Sequence, residues 1–313
     1  MNTIINFPDT NTYGDADFTC TLQRAGYFNN DGAIVEVPNT HFVVRDDNGV
    51  AFKPIGKDYQ LVQHPDAFKT AERIIKQSSL KTEDMKRDFA ISHDGARAFA
   101  TYTFPLHRES VGLNDDIELQ LLVRNSVDGS MRFCIEFGAL RLACLNGMTA
   151  LSSIGSFKRK HSKYLNINDA VEKLPDAVSI YNDSIETYKK FRLKTISDSD
   201  AIVIIADATA TANHQKFIKS KLTEVNGDVE HLLWFSEMSR AYQLKDVWKE
   251  YKTYKRDLGP NLWALYNAMT GWATHHDVYK ESSRNNLVAI QNDRRTSVHK
   301  TAEKMMLPLL EVA

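Results

Sequence analysis

With 313 residues, 42% of them hydrophobic and 25% charged, the chain is long enough to bury a sizeable core and has room for two domains. A formal net charge of -1 excludes a polybasic, histone-like protein, so any affinity for nucleic acid or a membrane surface must come from a local patch. No apolar run approaches the roughly 20 residues that span a bilayer, so no membrane partner is expected.

Residues 1–40 are rich in Asn, Asp, Thr and Gly and read as an N-terminal arm with one strand near Phe18 to Arg24. The stretch from Met1 to Pro8 lacks the basic start and apolar run of a signal peptide. Cys20, Cys134 and Cys144 show no zinc-type spacing and leave one over in any disulfide scheme. Free thiols in a cytoplasmic protein are therefore the expectation.

Phe42-Val43-Val44 and Val50-Ala51-Phe52 flank Asp47-Asn48-Gly49, which predicts a hairpin because Asn-Gly suits the positive φ angles of a tight turn. His64-Pro65 opens a helix with Phe68, Ala71, Ile74 and Ile75 on one face. Three strands follow, at Arg97–Phe104, Ile117–Arg124 and Met131–Ala139. Their period of two predicts an antiparallel meander with one covered face and one open face. By that count Arg124 and Arg132 lie on the open face.

After residue 165 the spacing becomes helical. Val171, Leu174, Val178, Tyr181, Ile185 and Tyr188 form one stripe, which Pro175 should kink or restart. Ser197 to Asp200 caps the run Ala201–Ala208, a further helix covers Val229–Tyr242, and another begins after Gly259-Pro260-Asn261. A last helix is expected over Thr296–Leu310. The fold class is α+β: an arm (1–40), a mixed domain with the meander (41–164) and a helical domain (165–313).

The segment Phe157-Lys158-Arg159-Lys160-His161-Ser162-Lys163-Tyr164 carries the strongest chemical signal. Lys158, Arg159, Lys160 and Lys163 suit phosphates, while Phe157, His161 and Tyr164 suit stacking on bases. Arg124, Arg132 and Arg141 are candidates to extend the patch. The alternative, a solvated charged linker between domains, stays open. Asp115, Asp116 and Glu118 are weighed as a divalent-ion set completed by a later carboxylate, against a plain acidic loop; His275-His276-Asp277, at a helix end, lacks the other spaced ligands of a zinc site. Cys144 reads as a buried thiol. Phosphate-binding, dinucleotide, serine-hydrolase and zinc-protease motifs are all missing, so neither a catalytic residue nor a cofactor is expected.

Two runs, Leu122-Val123-Arg124-Asn125-Ser126-Val127-Asp128-Gly129-Ser130 and Arg141-Leu142-Ala143-Cys144-Leu145-Asn146, resemble a phage- and plasmid-like family catalogued as domain of unknown function nine-three-two. So do Tyr59-Gln60-Leu61-Val62-Gln63 and Leu262-Trp263-Ala264-Leu265-Tyr266-Asn267-Ala268-Met269-Thr270, and the resemblance runs over about residues 40–310. Where the family has an R-H-T-like stretch, this chain has Arg159-Lys160-His161-Ser162. The resemblance implies a product of bacteriophages or mobile elements. The order of helix, meander and helix is also similar to phage single-strand annealing proteins of the Red-beta and Erf kind. The expectation is therefore an oligomeric protein that binds single-stranded DNA and promotes annealing without nucleotide hydrolysis. The alternatives are a non-catalytic phage interaction protein and a metal-dependent nuclease.

Overall fold

A computed structural model of the protein describes residues 13–112, 115–142, 146–149, 155–174, 177–225, 227–235, 242–275 and 293–311. The chain divides into two compact units. Unit 1 comprises Met1–His107, Leu119–Phe137 and Ser152–Ile180; unit 2 comprises Arg108–Glu118, Gly138–Leu151 and Tyr181–Ala313.

An antiparallel sheet of unit 1 runs in the order β1 (Cys20–Phe28), β2 (Ile34–Arg45) and β3 (Ala51–Gly56). The expected hairpin joins β2 to β3. Gly49 sits at φ +72, where a side chain is costly, and the Asn48 side chain accepts from the Val50 N–H at 3.0 Å. The described part of the arm holds β1 and the start of β2 where a single strand was expected. Its polar surface hid two long strands, because a ribbon exposed on both sides has no apolar alternation to reveal it.

The second sheet follows the order β4 (Lys86–Ser92), β5 (Arg97–Gly112), β6 (Asp115–Ser126), β7 (Phe133–Arg141) and β8 (Asn146–Thr149). A short strand β9 (Ser156–Arg159) pairs antiparallel with the first half of β7. The three expected strands are present as β5, β6 and β7, in sequence order. Their expected open face is not. Every described side chain of β6 except Asp116 is buried, including Glu118, Gln120 and Arg124. Alternation sorts side chains between two faces; it does not say whether the polar face meets water.

Helix α1 (His64–Gln77) starts with Pro65 in its first turn and buries Phe68, Ala71, Ile74 and Ile75, the face that the spacing predicts. A short helix α2 (Asp169–Lys173) and the first turn of the next helix, Ala177–Ile180, also belong to unit 1. Unit 2 is mainly helical: α3 (Ala177–Leu193), α4 (Asp198–Thr209), α5 (Ala212–Glu224), α6 (Val229–Phe235), α7 (Tyr242–Leu258), α8 (Leu262–His275) and α9 (Asp293–Met306). The Ser197 hydroxyl caps α4 by accepting from the Asp200 N–H at 3.1 Å. Asn261 caps α8, its side-chain oxygen taking the Ala264 N–H at 2.9 Å. Helix α8 is apolar almost all round and buries every side chain from Leu262 to Met269. Trp263 and Tyr266 of α8 pack against Tyr188, with centroids 5.1 and 5.5 Å away. Among the described residues no helix is long and apolar enough to cross a membrane.

Candidate nucleic-acid interface

The basic segment is not a linker. Ser156–Arg159 forms β9, and its register opposes Phe133 to Arg159, Cys134 to Lys158 and Ile135 to Phe157. Opposed residues of an antiparallel pair share a face, so β9 splits its cations. Phe157 and Arg159 lie on the face of Phe133; Lys158 lies on the face of Cys134. In unit 1 the second edge of β9 carries no strand among the described residues.

On the Phe157 face, the Phe157 and Phe133 rings pack edge to face with centroids 6.0 Å apart, both buried. The Arg159 guanidinium sits over the Phe157 ring at 5.0 Å, and the Lys173 ammonium at the end of α2 approaches the same ring at 6.0 Å. Both cationic side chains belong to exposed residues. On the other face, Arg124 is buried. Its Nη2 donates to Glu136 Oε1 at 2.6 Å and to Cys134 Sγ at 3.2 Å. That corrects the expected place of Arg124: the guanidinium is neutralised inside unit 1. Burial, the largest effect, pushes the Cys134 thiol up to about 11, which disfavours its thiolate near neutral pH.

Arg141 is also buried and belongs to unit 2. Its Nε donates to Asp115 Oδ1 at 2.5 Å, so it is likewise neutralised. Phe157 and His161 are buried, hence neither ring is open to a base. His161 stacks on Tyr59 with centroids 5.4 Å apart, and its Nδ1 donates to the Gln60 carbonyl at 3.2 Å. Desolvation lowers the pKa of the His161 imidazole. The Tyr59 hydroxyl in turn donates to the Val127 carbonyl at 2.7 Å and the Ser126 carbonyl at 3.1 Å. These contacts moor the basic segment to the β6–β7 turn.

Beyond the mooring, Lys163 is exposed and stands 3.7 Å from Asp58, an ion pair worth little in water. Its ammonium also lies 5.2 Å from the Tyr164 ring, which is 83% exposed. Arg132, just before β7, and Lys160, just after β9, are both exposed. Among the described residues no carboxylate pairs with Arg132, Arg159, Lys160 or Lys173. The exposed unit 1 surface is thus Arg132, Arg159, Lys160, Lys163 and Tyr164, joined by Lys173, with Lys158 half-buried beside it. Sequence reasoning missed Lys173, because a single lysine in a short helix has no linear signal.

The acidic set is used internally. Asp115 is held by Arg141, by Arg192 at 3.4 Å and by the Trp263 indole N–H at 2.7 Å. Glu118 accepts from Arg108 at 2.5 Å. Among the described residues no group of three His, Cys, Asp or Glu side chains is placed to hold a metal ion. Cys144, His276 and Asp277 lie outside the described residues, as does the side chain of His275.

An α+β chain with cations on and beside a short edge strand is what this geometry defines. The chain belongs to the family described as "Domain of unknown function (DUF932)", whose model matches residues 51–298. No curated protein and no solved structure matches it. The segments carrying the resemblance build the polar framework of the fold. Gln63 mimics a strand partner, bonding the Cys20 N–H at 2.9 Å and its carbonyl at 2.8 Å. Asn125 donates to the Val62 carbonyl at 2.8 Å, and Asn267 to the Trp263 carbonyl at 2.8 Å.

Proposed function

We propose that the chain binds single-stranded nucleic acid along the β9 edge and acts in strand annealing or recombination of a phage or mobile element, without nucleotide hydrolysis. The observation that supports this is the edge strand itself. Lys158 and Arg159 fall on opposite faces of a strand whose outer edge pairs with no strand among the described residues, with Lys160 just beyond it and an exposed Tyr164 ring four residues further on. Backbone phosphates are positioned by such cations through charge-assisted hydrogen bonds, and an exposed ring gives a base a sequence-tolerant platform worth about 1–3 kcal/mol. The patch is smaller than the sequence suggested, since Arg124 and Arg141 serve the interior. A grip this short calls for several copies of the chain along one strand.

Titrating a labelled oligothymidylate at two salt concentrations tests the reading. The triple variant Lys158→Ala/Arg159→Ala/Lys160→Ala should bind more weakly and with a flatter salt dependence, each lost phosphate contact removing about 0.7 from the logarithmic slope. Equal affinity of variant and wild type would remove the site.

A second reading, a non-catalytic interaction protein, is favoured by the far end of the β1–β2 ribbon. Pairing runs out to Phe28 opposite Ile34, whereas β3 accompanies β2 only from Thr40 to Val44. Phe28 is 73% and Ile34 70% exposed there, on a surface better suited to protein than to phosphate. Sedimentation of wild type and of Phe28→Ser/Ile34→Ser separates the two. Self-association lost in that variant, with no oligonucleotide binding by wild type, would favour the second reading.

A further inference from the structure

The two faces of β9 are not equivalent for an anion. On the Lys158 side the register brings Glu136 onto the same face, diagonal to Lys158 and already bonded to Arg124. A phosphate arriving there meets a carboxylate as well as cations. On the Phe157 side, two cations from different elements, Arg159 of β9 and Lys173 of α2, approach one aromatic ring at 5.0 and 6.0 Å. Among the described residues neither has a carboxylate partner. Two like charges brought to one ring repel each other, and the ring's attraction for each is worth only about 0.5–1 kcal/mol at an exposed site. An anion that both reach converts that repulsion into two attractions. The ring itself is buried and packed edge to face on Phe133, so it is a fixed support for both cations and not a surface the ligand touches.

We propose that Arg159 and Lys173, the two exposed cations carried by Phe157, together bind one phosphate group, so that the nucleic-acid chain runs on the Phe157 face of β9 and not on the Lys158 face. This rests on the nucleic-acid reading and deepens it. Arg159 offers a planar fork to two phosphate oxygens, and Lys173 supplies a point charge from the opposite element. The class of ligand is a phosphodiester; inorganic phosphate shares its chemistry and serves as the second probe.

Four variants test the clamp: Arg159→Gln, Lys173→Gln, the double variant and Lys158→Gln. All replace exposed or half-buried cations with a shorter neutral polar side chain, so the fold should be kept, and thermal melting checks that it is. With labelled oligothymidylate at low salt, Arg159→Gln and Lys173→Gln should each bind about tenfold more weakly. The double variant should lose little more than either alone, since both serve one phosphate, and Lys158→Gln should stay within about twofold of wild type. Wild-type affinity in Lys173→Gln, or a larger loss in Lys158→Gln than in Arg159→Gln, overturns the clamp while leaving nucleic-acid binding intact. If wild type ignores the oligonucleotide, titration with inorganic phosphate decides. Binding abolished by Lys173→Gln keeps the anion site and removes only the nucleic-acid reading. No binding of either probe overturns both.

Discussion

The indole N–H of Trp263 donates to the buried carboxylate of Asp115 at 2.7 Å, although 148 residues separate them in the chain. The same carboxylate receives Arg141 and Arg192, and the Arg141 guanidinium lies 6.0 Å from the Trp263 ring. Asp115 is thus the shared acceptor at the centre of unit 2. Replacing it with Ala removes the buried carboxylate that Arg141, Arg192 and Trp263 share, at a cost of about 3–5 kcal/mol. Asp115→Asn should cost less, since it keeps an acceptor. Urea denaturation measures both; a loss below about 1 kcal/mol in Asp115→Ala would show that the carboxylate is not the hub.

Arg124 gives a parallel case in unit 1, with a consequence for the interface. Arg124→Ala strands Glu136 in the interior and should destabilise the fold by about 3–5 kcal/mol. Oligonucleotide affinity per folded molecule should stay unchanged, because the guanidinium never reaches the surface. A drop in affinity at full folding would place Arg124 among the phosphate ligands after all.

His64 makes stability depend on pH. Its Nε2–H donates to the Gly95 carbonyl at 2.9 Å and its Nδ1 accepts from Asn125 at 3.0 Å, a pattern only the neutral ring can satisfy. Burial, the largest cause, lowers its pKa from 6.5 to about 4. The unfolded chain therefore binds the proton first. The contribution of His64 is complete above about pH 6.5 and is lost as pH falls towards 4, by roughly 3 kcal/mol. Glu72 acts in the opposite sense, as burial raises its pKa and its folded form prefers the proton. Comparing wild type with His64→Gln at pH 7 and pH 4.5 cancels Glu72. The stability gap between them should narrow at the lower pH, and a constant gap would refute the assignment.

Gly129 controls the mooring of the basic segment. It sits at φ +68, and an added Cβ would lie 2.8 Å from Cε2 of Tyr59, the ring on which His161 stacks. Gly129→Ala should cost about 1–2 kcal/mol from backbone strain alone. It should also speed tryptic cleavage after Lys160 and Lys163 in the native state, as the stack loosens. Unaltered cleavage with reduced stability would confine the effect to the turn.

Much of the fold is legible where burial follows a period. Helix α1 shows its apolar face at spacings of three and four, α8 is announced by Asn261 and a nearly continuous apolar run, and Asn48-Gly49 marks its hairpin. The ribbon of β1 and β2 leaves no such trace, since exposure on both sides removes the contrast between faces. The candidate interface was half visible. Lys158, Arg159 and Lys160 stand out as a run, but whether a cation meets solvent or a carboxylate depends on which strand lies beside it. Arg124 and Arg132 share an alternation class, yet one is paired with Glu136 and the other is exposed. Lys173 enters only because α2 brings it to Phe157.

Strands β5, β6 and β7 each contribute residues to both units, so their boundary crosses the chain several times. A fragment cut after residue 164 would carry off Arg108–Glu118 and Gly138–Leu151, and with them the Asp115 and Arg141 that Trp263 needs. Neither half is then a self-sufficient folding module, and dissection by truncation should yield insoluble pieces where point substitutions leave the molecule whole.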